Sequence, residues 1–76
     1  MKLLLVMALY LIHVTGPNGN RIDVNAADIV SLRQPQLLGY YDPKVKCVIY
    51  TLDATFIGAQ ETCEQVRELI LQVEEQ

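Results

Sequence analysis

Tryptophan is absent from this chain of 76 residues, and phenylalanine and histidine occur once each and cysteine twice. One histidine and two separated cysteines leave a four-ligand metal site short of donors, so no metal or cofactor is expected. Cys47 and Cys63 form neither a C-x-x-C pair nor a multi-bridge framework, and they read as free thiols in a reducing compartment. Basic residues are also scarce: Lys and Arg number 6 against 9 Asp and Glu, for a formal net charge of −3. Lys44 and Lys46 are the one close basic pair, and Asp42 stands beside them. A surface that displaces counterions from phosphates needs more than that, so nucleic acid is not an expected partner. The longest apolar run is Leu3 to Ile12, ten residues, where a spanning helix needs about 20.

What remains is a folded composition, 51% hydrophobic and 20% charged. The length suits one domain over residues 1–76 and not two. The acidity is local: residues 61–76 carry a net −4 and the rest of the chain +1.

The apolar start admits three readings. It is too short to span a bilayer. As a signal peptide it has Lys2, a leucine run and small residues around Val6-Met7-Ala8, but a cut there leaves too little hydrophobic segment. As the opening strand it fits better, because Tyr10 to Thr15 is β-branched and aromatic and runs into a turn. Met7 is then an alternative start, with residues 1–6 an extension.

Gly16-Pro17-Asn18-Gly19-Asn20 is a hairpin signal, since Asn and Gly tolerate positive φ. It lacks the Lys-Ser/Thr of a phosphate loop. Arg21 to Asn25 alternates, with Ile22 and Val24 on one side. Asn25-Ala26-Ala27-Asp28 reads as a short turn or a single helical turn with Asn25 as its cap. Ile29 to Arg33 reads as a strand with Val30 and Leu32 on one face. Two prolines and a glycine make residues 34–44 a long loop. Val45 to Leu52 is the strongest strand. Cys47 and Ile49 point one way, Val48, Tyr50 and Leu52 the other, so both faces call for cover. Asp53-Ala54 is a tight turn, and Phe56 to Gln60 is the last strand. Thr62 and Gln65 make a capping box, after which Val66, Leu69, Ile70 and Val73 form a helical stripe. Leu71 falls off that stripe. The expected fold class is α+β: a mainly antiparallel sheet of four or five strands with one C-terminal helix packed on it.

Catalytic constellations are thin. Cys63 falls in the first turn of the helix, where backbone N–H groups lower a thiol pKa, which keeps a thiol-dependent enzyme or redox switch as an alternative. His13 stands alone, and the carboxylates of the helix read as a solvated face. The better surface candidates are Tyr40 and Tyr41 in the long loop, flanked by Leu37 and Leu38, together with Leu71. Tyrosine offers large contact area at low entropic cost.

Val14-Thr15, Asn18-Gly19, Ile22-Asp23-Val24-Asn25, Ile29 and Leu32, then Ile49-Tyr50-Thr51 and Glu61-Thr62 with Glu64-Gln65-Val66, resemble the small flagellar FlbD-like proteins over residues 14–70. Those are short β-rich chains, and the resemblance implies the same fold but no catalytic or binding residue. This chain departs from the pattern in its 34–44 insertion, in Asp53-Ala54 where Asp-Gly is expected, and in the apolar segment before Met7.

These readings converge on a non-enzymatic protein–protein interaction or assembly module. One helix cannot cover both apolar faces of a small sheet, so a homo-oligomer is expected. The expected location is a bacterial cytoplasm, with secretion as the alternative. A regulatory nucleic-acid-binding domain is the remaining alternative.

Overall fold

A computed structural model of the chain describes residues 10–35 and 42–74. The elements run β1 (Leu11–Thr15), β2 (Arg21–Asn25), a 3-10 turn (Ala26–Asp28), β3 (Ile29–Arg33), β4 (Cys47–Thr51), β5 (Phe56–Ala59) and α1 (Cys63–Glu74). All strand pairs are antiparallel. The five strands form two small sheets, β1-β2 and β3-β4-β5, where the sequence suggested one. The α+β class and the element order are those expected from the sequence.

The first hairpin follows from its turn. Gly19 adopts φ 85°, the left-handed region that glycine enters without steric cost. At Gly16 a Cβ would lie 2.5 Å from Oδ1 of the exposed Asn20 side chain, which would have to swing aside. The register pairs Ile12 with Val24 and Val14 with Ile22, which puts four aliphatic side chains on one face. His13 and Asp23 oppose each other on the other face. The Asn25 side chain accepts from the Ala27 N–H at 3.0 Å and starts the 3-10 turn, as its cap position predicted.

In the second sheet Ile49 faces Leu32 and Ile57, and Cys47 faces Ala59. The β3-β4 ladder slips between Ile29 and Ser31, leaving Val30 as an extra residue. This bulge corrects the expected strand. Val30 does not share a face with Leu32; Leu32 packs on the core while Val30 is 53% exposed. A bulge shifts the alternation by one residue, and period-2 reading has no signal for it. The β4-β5 turn holds Ala54 at φ 66°, a conformation that costs an alanine about 1 kcal/mol or more.

The core joins both sheets to the helix. Ile12, Val14, Val24 and Ala26 meet Cys47, Ile49 and Ala59, and Val66 closes the layer. Ile49 and Val66 have no exposed surface, and each such side chain contributes roughly 1.5–3 kcal/mol. Leu69, Ile70 and Val73 flank them, which completes the predicted stripe. The capping box is formed: the Gln65 N–H donates to Thr62 Oγ1 at 3.1 Å, and the Thr62 N–H donates to Gln65 Oε1 at 2.8 Å.

A polar clasp ties β1 to the β5-α1 junction. The Thr15 N–H and hydroxyl each donate to the Glu61 carboxylate at 2.9 Å. The Gln60 N–H donates to the Thr15 carbonyl at 2.8 Å, and its side-chain amide donates to the Gly16 carbonyl at 2.9 Å. The two sheets are thereby joined at one end without a shared ladder.

The cysteines correct the sequence reading. Cys47 and Cys63 form a disulfide with Cα atoms 4.9 Å apart, within ordinary bridging range. Each is the first residue of its element, and the fold lays the start of α1 over the start of β4. A separation of 16 residues carries no short-range signature, so spacing rules passed over it. Among the described residues no cysteine is free, and no helix is long and apolar enough to cross a membrane.

Candidate interaction surface

The β3-β4-β5 sheet has two unlike faces. On the inner one Cys47, Ile49 and Thr51 are buried. The outer one carries Ser31, Arg33, Val48, Tyr50 and Phe56, as the register requires. Val48 is fully buried, so the outer face is sealed at the start of β4. At the other end it opens. Tyr50 is partly exposed and stacks obliquely on Phe56, with ring centroids 4.8 Å apart. Phe56 remains 57% exposed, Val30 sits beside this pair, and Leu52 in the adjoining turn is 71% exposed. Clustered exposed aromatic and aliphatic side chains of this kind mark contact surfaces more than single exposed leucines do.

Of the residues singled out from sequence, Leu37, Leu38, Tyr40 and Tyr41 lie outside the described residues. Leu71 is described and is 44% exposed on the solvent side of α1. The structure does not bring it to the Tyr50-Phe56 patch, because α1 packs on the inner layer. Sequence reasoning missed Val30, Phe56 and the open end of Tyr50. For Phe56 a signal existed: the chain's one phenylalanine begins a strand after a strained turn, in phase with Tyr50.

Polar side chains gather at three other places. On the outer face of the first hairpin, His13 Nδ1 lies 2.7 Å from Asp23 Oδ1, and Arg21 Nε donates to the same oxygen at 3.1 Å. His13 and then Arg21 hold the Asp23 carboxyl below its ordinary value. This cluster is solvent-exposed, where such pairs contribute little to stability. At the end of the two sheets, Asp23, Asp28 and Asp53 line a shallow cleft with Asn25, Thr51 and Thr55. The Thr51 hydroxyl donates to Asp53, and that bond with a second one from Thr55 lowers the Asp53 carboxyl. The hydroxyls thus serve the turn. Among the described residues no set of three His, Cys, Asp or Glu is arranged to hold a metal ion. The third place is a depression around Cys63 lined by Gln34, Lys46, Thr62 and Arg67. The Cys63 sulfur there is bonded to Cys47, so it is not a thiolate nucleophile in this structure.

Comparison with known proteins finds no matching family model, no matching curated protein and no matching solved structure. The surface is therefore read on its own chemistry, an exposed group of aromatic and aliphatic side chains at one end of the sheet.

Proposed function

We propose that this chain is a small non-enzymatic interaction and assembly module that self-associates through the outer face of its three-stranded sheet. The observation that carries this reading is the open Val30-Tyr50-Phe56 patch on a sheet whose other face is closed. In so small a domain, leaving aromatic surface in water forgoes stabilisation that another chain can recover. Sedimentation of the full chain over a concentration series tests it. The expected result is a concentration-dependent rise in mass that Phe56→Ser abolishes without unfolding the domain. A monomer at millimolar concentration would end the reading.

The disulfide supports a setting in an oxidising compartment, because structural bridges persist there and are rare in reducing cytosol. The cytoplasmic expectation rested on free thiols and loses that support. The check is direct: natively produced protein, denatured without reductant, should bind no thiol reagent, and two reactive thiols per chain would reverse the assignment.

A further inference from the structure

We propose that Cys63 is a thiolation site: the bridge is opened from its Cys63 side, and the small thiols that open it fastest are negatively charged. This stands apart from the interaction-module reading and uses no residue of the sheet patch. The bridge is lopsided. Cys47 is fully buried, whereas Cys63 is partly exposed and opens into the depression that Gln34, Lys46, Thr62, Glu64 and Arg67 complete. A thiolate attacks a sulfur that it can reach, and it approaches in line with the bond that breaks. With Cys47 in the core, the sulfur within reach is that of Cys63 and the approach is from the depression. Cys63 is then the electrophile of the reaction, not its nucleophile.

The exchange balances with the small thiol as the reductant. Its thiolate gives an electron pair to Cys63 Sγ, a new S–S bond forms, and the Cys47–Cys63 bond breaks. The bonding pair leaves on Cys47 Sγ, which takes a proton from water. The products are a mixed disulfide on Cys63 and a thiol in the core. A second thiolate attacks the outer sulfur of the mixed disulfide, releases Cys63 as a thiolate and leaves the small-molecule disulfide.

Charge decides which thiols arrive. The chain as a whole carries a net −3, which disfavours an incoming anion. The depression reverses that sign. Lys46 directly precedes Cys47, and Arg67 stands four residues after Cys63, about one helical turn on. Both are exposed, and among the described residues the ion pairs are confined to Asp23 with His13 and Arg21. Glu64 is the opposing carboxylate, so the lining holds two cations and one anion. Fixed charges act on an approaching ion within a Debye length of about 8 Å and raise the encounter rate of ions of opposite sign. A thiol that carries a carboxylate or sulfonate can set that group against Lys46 and Arg67 while its sulfur faces Cys63. A cationic thiol is repelled from the same place.

The test treats the full chain with mercaptoethanesulfonate, mercaptoethanol and cysteamine at low salt. Each rate of bridge loss is divided by the rate of the same thiol with a small uncharged disulfide, which removes differences in intrinsic nucleophilicity. The normalised rate should be about fivefold or more higher for the sulfonate than for the amine, with the neutral thiol between. The preference should fade in about 1 M salt, where screening is nearly complete. In the double variant Lys46→Glu with Arg67→Glu the order should invert, and a thermal melt checks that the fold is kept. Peptide mass analysis of the acid-quenched reaction should find the small thiol on Cys63. Equal normalised rates on the unmodified chain would overturn the proposal, whether or not the variant folds. So would a preference that a folded double variant retains, or an adduct on Cys47. Rates independent of thiol concentration would overturn it as well, because global opening would then be the gate.

Discussion

Ile49 and Tyr50 are neighbours in β4 and have opposite surroundings. Ile49 lies between Leu32 and Ile57 in a layer shut by Val66 and the first hairpin. Tyr50 has Phe56 on one side and the bulge at Val30 on the other, and it stays partly in water. One strand thus contributes to a finished layer and to an unfinished one. The difference shows where this chain gets its stability and where it keeps surface for contact. The sealed side has the helix, the capping box, the clasp and the disulfide. The open side has a bulge and a turn with an alanine in a glycine conformation.

Truncation on each side should break the symmetry of β4 most sharply. Ile49→Ala leaves a cavity in the closed layer and should cost about 3–4 kcal/mol, read as a drop of ten degrees or more in melting temperature. Phe56→Ala on the open face should change monomer stability by under about 1 kcal/mol while weakening self-association. Equal stability losses at the two sites would mean that the open face is packed in solution.

Next in size is the disulfide, which belongs wholly to the sealed side. Closing a loop of this length restricts the unfolded chain, and replacing both cysteines by serine should cost about 3 kcal/mol in urea unfolding. Because Cys47 is fully buried, an external thiol can reach the bridge only at Cys63 and must expel a thiolate into the core. Reduction of the folded protein should therefore be slow and should speed up steeply as denaturant opens it.

A smaller effect sharpens the other side. Ala54→Gly removes the penalty of a left-handed alanine and should raise stability by about 1 kcal/mol. If association falls as stability rises, the strained turn is helping to hold Phe56 and Leu52 in place.

The smallest effect concerns the exposed His13-Asp23-Arg21 cluster. The Asp23 carboxyl is lowered in the folded chain, mainly by His13 and then by Arg21. A lowered folded value gives stability that is complete above the unfolded value near about 3.9 and is lost as pH falls through the folded one. Asp23→Asn should therefore lose less stability than wild type between about pH 5 and pH 2, followed by denaturant melts at each pH.

Much of the sealed side was legible in the sequence. Alternation in Arg21 to Asn25, the Asn18-Gly19 turn, the Asn25 cap and the Thr62-Gln65 box are local signals, and local chemistry decides them. The division into two sheets was not legible, because no residue pattern says which hairpins share a ladder. Nor was the bulge, which moves Val30 to the opposite face from Leu32 without changing composition. The disulfide escaped for a related reason: its halves meet only after β4 and α1 have packed. Of the candidate contact residues, Leu71 was correctly set off the helical stripe by period alone. Phe56 was overlooked because its exposure depends on how the turn before it bends.

The clasp between Thr15 and Glu61 has a kinetic consequence. The first hairpin is secured by groups 46 residues further along the chain, and its apolar side is closed by Val66. Such contacts have a high sequence separation, and chain closure over that distance must precede their reward. During synthesis β1 and β2 emerge with one oily side bare until the helix follows. Folding should consequently be slow for so short a chain, and the interval before the helix docks is when it is most open to aggregation.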